Sequence, residues 1–95
     1  MKWVVYMLRC CDGSFYTGCT NNLTRRLALH QNGKGAKYTR SRLPVTLAWC
    51  EKTDGKSEAL RREAAVKRLS HAEKVSMTES CNPAALCDIL KYPLK

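Results

Sequence analysis

From Gly13 to Cys50 the chain has no aspartate and no glutamate, while six basic side chains fall in that interval: Arg25, Arg26, Lys34, Lys37, Arg40 and Arg42. A surface of one sign attracts a polyanion, and the phosphate backbone is the commonest polyanion in a cell. The same excess also serves solubility alone, so charge by itself leaves the two readings level. Long apolar runs are missing as well. Nothing approaches the ~20 residues of a membrane-spanning helix, which removes a transmembrane role and a membrane partner from the expectation. The opening residues Met1 to Tyr6 lack the apolar run and small-residue cleavage site of a secretory signal. No repeat and no low-complexity segment occurs.

Zinc-type cysteine spacing is also absent. The chain has six cysteines (Cys10, Cys11, Cys19, Cys50, Cys81 and Cys87) but no C-x-x-C pair and no histidine at finger spacing. They are expected to be reduced thiols, mostly buried as small hydrophobes, in a cytoplasmic protein. With 95 residues, 44% of them hydrophobic, the chain makes one lean domain. Such a length leaves room for one sheet with helices packed on it.

Local signals order the elements. Trp3 to Cys10 is rich in strand formers, Asp12-Gly13 is a hairpin turn signal, and Phe15 to Gly18 returns as a second strand. Asn21 and Asn22 offer an N-cap for a helix from about Leu23 to Gln31, which Asn32-Gly33 stops. Residues 33–44 read as a polar, basic loop, and Val45 to Glu51 as a third strand. A helix follows from Ser57 to Leu69, and Ser70-His71-Ala72-Glu73 is a capping box that opens another. Asn82-Pro83 marks one more helix, to about Leu90, in a tail that begins at residue 79. The order β-β-α-β-α-α predicts an α+β fold of the broad α/β class, a three-stranded antiparallel sheet that starts with a hairpin and is flanked by helices.

Several polar residues stand out against this frame. Tyr6 and Tyr16 lie on the two hairpin strands with nine residues between them, though strand tyrosines are usually packing residues. On the first helix Leu23 and Leu27 define the apolar stripe, and Arg26 and His30 stack one turn apart beside it. A snorkelling arginine and a half-buried histidine would fit the same positions. Glu63 falls between Ala59 and Leu60 on the helical wheel, among residues expected to pack inward. A carboxylate there is costly unless paired or bound to a cation, and Lys67 one turn on could serve as the pair.

Together these residues resemble a known family. Val4-Val5-Tyr6 and Tyr16-Thr17-Gly18 are similar to the two halves of the GIY-YIG nuclease motif. Leu23-Thr24-Arg25-Arg26-Leu27 with His30 resembles that superfamily's site-facing helix, and Ser57 to Glu63 its segment with a metal-binding glutamate. The Gly33 to Arg40 loop and the Leu69 to Lys74 turn resemble the small stand-alone bacterial branch with the YhbQ-like proteins. That branch is related to the catalytic subunit of the eukaryotic endonuclease that cuts branched DNA. The resemblance runs from about Trp3 to Met77, making 1–78 the GIY-YIG domain. Two departures, Val-Val-Tyr in the first half and Thr17 in the second, remove no functional side chain. A third is Lys74-Val75-Ser76-Met77, where many members carry a supporting Asn.

The resemblance implies a metal-dependent endonuclease hydrolysing phosphodiester bonds in DNA, more than RNA, branched or otherwise non-duplex, with DNA repair as the setting. It implies one divalent metal, Mg²⁺ or Mn²⁺, on Glu63, and Arg26 on the scissile phosphate. Tyr6, Tyr16 or His30 would orient or deprotonate the water, a choice the residues leave open. Lys34, Lys37, Arg40 and Arg42 would hold flanking phosphates, Tyr38 would stack on a base, and a protein partner would supply specificity. Two rival readings remain: a nucleic-acid-binding module of the same fold without turnover, and a protein-interaction domain for an acidic partner.

Overall fold

Val4-Val5-Tyr6-Met7-Leu8 is an unbroken apolar run, the pattern of a strand covered on both faces. In the computed structural model, which describes residues 3–79, this run is the middle of the sheet. Strands β1 (Trp3–Arg9), β2 (Phe15–Thr20) and β3 (Thr46–Thr53) pair antiparallel in the order β2-β1-β3. Helices α1 (Leu23–Gln31), α2 (Lys37–Arg40), α3 (Lys56–Lys67) and α4 (His71–Glu79) fill the remaining order. The fold is therefore the antiparallel α+β arrangement expected, with α2 added.

Alternation along β1 divides the core in two. Val4, Tyr6, Leu8 and Cys10 pack with Leu23 of α1, with Leu27 partly buried against them. Val5 and Met7 face the other way, onto Trp49, Ala59 and Val66. Each fully buried aliphatic side chain contributes about 1.5–3 kcal/mol, so the fully buried Val5, Met7, Leu8 and Val66 anchor the sheet between its helices. Thr17 is buried and its hydroxyl finds no hydrogen-bond partner among the described residues; nothing in the structure explains a threonine there.

Caps fall where polar side chains allow them. Asn22 Oδ1 accepts from the Arg25 amide at 3.1 Å and starts α1. Gly33 ends it at φ +74°, with its amide bonded to the His30 carbonyl and the Lys34 amide to the Leu29 carbonyl, a Schellman motif. The box at Ser70 and Glu73 forms in both directions, each bond 3.1 Å.

Several details differ from the sequence-based expectation. β2 runs on to Thr20 because Thr20 pairs with Val4. β3 lies further along than expected, ending at Thr53, whose hydroxyl donates to the Trp3 carbonyl. α3 ends at Lys67 instead of Leu69. Leu60, expected to pack inward, is 49% exposed. At about 100° per residue, the stripe set by Ala59 and Val66 leaves Leu60 about 110° from its centre and Glu63 about 50°, on its flank. No disulfide joins the described cysteines to one another, and Cys10 and Cys50 are buried but Cys11 is exposed. The helix expected after Asn82 lies outside the described residues. Among those residues no helix is long and apolar enough to cross a membrane.

Candidate active site

Hairpin register brings the two tyrosines together. Tyr6 pairs with Gly18 and Leu8 with Tyr16, so the tyrosines are diagonal neighbours on the face that carries α1. Their ring centroids are 6.5 Å apart. Gly18 is demanded by this approach, since a β-carbon there would sit 2.7 Å from the Tyr6 hydroxyl.

Helix α1 then delivers His30 to the pair. Its Nε2 is 3.0 Å from the Tyr6 hydroxyl, its Nδ1 is 2.8 Å from Thr39 Oγ1, and its ring centroid is 5.2 Å from that of Tyr16. Burial lowers the His30 pKa, and the Arg26 charge lowers it further. Burial also pushes the Tyr6 hydroxyl well above the usual tyrosine value, with Tyr16 adding and Arg26 opposing. Both groups are neutral at neutral pH. Arg26 is exposed; its amide donates to the Asn22 carbonyl at 3.1 Å, but among the described residues its guanidinium makes no hydrogen bond or ion pair. Beside it opens a cavity of about 220 Å³ lined by Thr20, Asn21, Asn22, Arg25, Arg26 and Leu29.

Glu63 approaches from the opposite face. α3 packs across β1 and β2, and the stripe of Ala59 and Val66 carries Glu63 inward until its side chain is 19% exposed. There its carboxylate bonds to the Lys67 ammonium at 2.7 Å and accepts from the Cys19 thiol. Burial works against the charge, but these two hydrogen bonds prevail and hold Glu63 below the usual carboxylate value. The thiol is pushed up to about 11, by burial first and then by Glu63, so it serves as a neutral donor. Because β2 is an edge strand, Glu63 and the tyrosines flank the same sheet margin. The Glu63 charge is felt at Tyr6.

The basic loop closes over this cluster. Gly35 lies directly on the His30 ring, where a side chain would collide. In α2, Thr39 is fully buried and Tyr38 stacks on Tyr16 at 6.1 Å and 28°. The Arg42 guanidinium sits 3.9 Å from the Tyr38 ring centre, donates to the Tyr38 carbonyl, and pairs with Asp12 at 3.1 Å. Lys34, Lys37 and Arg40 are exposed. Thus Tyr6, Tyr16, His30 and Arg26 form one cluster with Glu63 around the sheet edge, while Tyr38 and Arg42 are engaged within the fold. Sequence reasoning missed Thr39, Gly35, Cys19 and Asp12. Only Gly35, a second glycine just past a helix stop, carried a local signal.

Comparison with known proteins places this arrangement. A family model described as the GIY-YIG catalytic domain matches residues 2–76. The chain belongs to the GIY-YIG family. A UPF0213 protein of Halobacterium salinarum is 53% identical over 73 residues, covering 77% of this chain and 95% of that one. Another from Staphylococcus haemolyticus is 49% identical over 78 residues, covering 82% and 95%. A solution NMR structure of a UPF0213 protein from Bacillus halodurans is 46% identical, covers 83% and 84%, and superposes with a TM-score of 0.53. A second NMR structure, of an E. faecalis protein, gives 45% identity, 78% and 79% coverage, and 0.54. These relatives are small proteins of the stand-alone GIY-YIG branch.

Proposed function

We propose that this protein is a metal-dependent endonuclease that hydrolyses phosphodiester bonds in DNA, with branched or other non-duplex structures as substrate. One observation carries the reading: a buried tyrosine hydrogen-bonded to a neutral histidine, beside an unpaired arginine and around the sheet edge from an ionised glutamate. A packing role would not require Arg26 to stay free at the cluster's border.

The donor set fits one hard divalent cation. Glu63 is ionised and already holds a cation, the Lys67 ammonium, at 2.7 Å. A single carboxylate together with waters and substrate oxygens is the hard oxygen donor set that Mg²⁺ or Mn²⁺ takes. Once bound, the ion would offset negative charge on the phosphoryl oxygens. Arg26 grips the scissile phosphate through its planar fork, and the adjoining cavity takes the neighbouring part of the strand. Tyr6 orients the attacking water: as its oxygen takes the water's proton, its own proton passes to His30 Nε2. Tyr16, the half-buried ring, packs beside both Tyr6 and His30. Exposed Lys34, Lys37 and Arg40 hold flanking phosphates; Arg42 and Tyr38 hold the loop that presents them.

The Lys67–Glu63 pair also favours a second reading, in which an internal cation satisfies the carboxylate and the domain binds nucleic acid without turnover. End-labelled linear, flapped and branched DNA, and RNA, incubated with Mg²⁺ or EDTA separate the two. Metal-dependent cutting that falls about 10²–10³-fold in Glu63→Ala, with gel-shift affinity kept, is the expected result. Shifted but uncut substrate with wild-type protein would establish the binder instead.

A further inference from the structure

Three hydrogen bonds run in series from the site to the backbone of the loop: Tyr6 hydroxyl to His30 Nε2 (3.0 Å), His30 Nδ1 to Thr39 Oγ1 (2.8 Å), and Thr39 Oγ1 to the Ala36 carbonyl (3.0 Å). Their direction follows from proton counting. A carbonyl only accepts, so Thr39 must donate its single hydroxyl proton to Ala36. Its oxygen is then the acceptor at Nδ1, which must carry the imidazole proton. A neutral histidine has one N–H, so Nε2 is bare and Tyr6 is the donor to it. His30 and Thr39 are 1% and 0% exposed, so no solvent reaches the imidazole to reverse the chain.

We propose that Thr39 is a positioning residue that fixes His30 as the Nδ1–H tautomer, commits the Tyr6 proton to Nε2, and so leaves the lone pairs of the Tyr6 oxygen free to accept. Its value for catalysis rests on the nuclease reading above; the polarity of the chain does not. With the opposite polarity Nε2 would donate to Tyr6, and Tyr6 would offer the site a proton instead of a lone pair. Such a hydroxyl could not accept a proton from water and relay its own onward. The loop is shaped to hold Thr39 in place. Ala36 also accepts the Arg40 amide at 3.1 Å, and Gly35 lets the loop lie on the imidazole.

The test is the tautomer itself, read from long-range ¹H–¹⁵N correlations of the full chain above neutral pH. The exposed His71, the chain's other histidine, is an internal reference. Wild type is expected to show His30 as Nδ1–H. Thr39→Val keeps the shape and loses the hydroxyl, so Nε2–H should become populated and cleavage should fall about a hundredfold, the low end of general acid–base contributions. Thr39→Ser should restore both readouts. An Nε2–H signal in wild type, or an unchanged Nδ1–H signal in Thr39→Val, would overturn the assignment. Should Thr39→Val not fold, wild type and Thr39→Ser still decide it. If wild type cuts no probe, the nuclease reading falls on the Glu63 comparison, and the tautomer still judges Thr39.

Discussion

A histidine buried as a neutral ring ties stability to pH. His30 has its pKa lowered, chiefly by burial, so between that value and the ordinary 6.5 the unfolded chain binds the extra proton. Stability from this residue is complete above 6.5 and is lost as pH falls through the lowered value. The carboxylates of Glu63, Asp12 and Glu73 are all held low and keep their charge over this window. The melting temperature should therefore drop between about pH 7.5 and about pH 5.5, and flatten in His30→Gln, by circular dichroism. An equal slope in both proteins would put the titrating group elsewhere. Sequence spacing located His30 beside the tyrosines, but it suggested half burial; the Thr39 and Gly35 cover is what seals it.

Among the elements, α2 is the one that local signals did not reveal. Lys37-Tyr38-Thr39-Arg40 has no side-chain cap at Ala36 and only four residues, too few for intrinsic propensity to hold a helix. Contacts hold it instead: Thr39 on His30, Tyr38 on Tyr16, and Arg42 bridging to Asp12 in the hairpin turn. Gly35 is the narrowest point of that seat. Gly35→Ala should cost about 1–3 kcal/mol in urea unfolding, the range for overpacking a filled site. A smaller cost would mean that the loop can lift from the imidazole. α1, by contrast, was legible to the residue, because Asn22 and Gly33 are its cap and stop and both act locally.

For the whole molecule the surplus of charge matters most. The net charge is +9, and Lys34, Lys37 and Arg40 stand exposed on one loop beside the site. If these three each neutralise a phosphate, log affinity for duplex DNA should fall with log salt at a slope near −2.7, about −0.9 per contact. Lys37→Ala should reduce that slope by about one contact without altering preference among sequences. A slope unmoved by Lys37→Ala would shift the interface to another face. The Cα trace is 31 Å along its longest axis, a footprint on the order of one duplex turn. For the proposed nuclease, such a small footprint suits a junction or flap better than readout of a long sequence.

By itself, the sequence determined what depends on neighbours along the chain. The alternation in β1, the Asp12-Gly13 turn, the Asn22 cap and the Ser70–Glu73 box all act over a few residues, and together they specify a hairpin-led α+β fold. Positions on the hairpin and on the helical wheels, with the resemblance to the GIY-YIG motif, also pointed to Tyr6, Tyr16, Arg26, His30 and Glu63. What tertiary structure decided was which of these meet and in what state. Glu63, whose pairing with Lys67 the i,i+4 spacing already allowed, meets Cys19 of β2, Arg42 is engaged by Asp12, and the proton on His30 is governed by Thr39. Those outcomes depend on desolvation and on hydrogen-bond direction between segments distant in sequence, and neither exists until the loop has closed over α1 and α3 has reached the edge of β2.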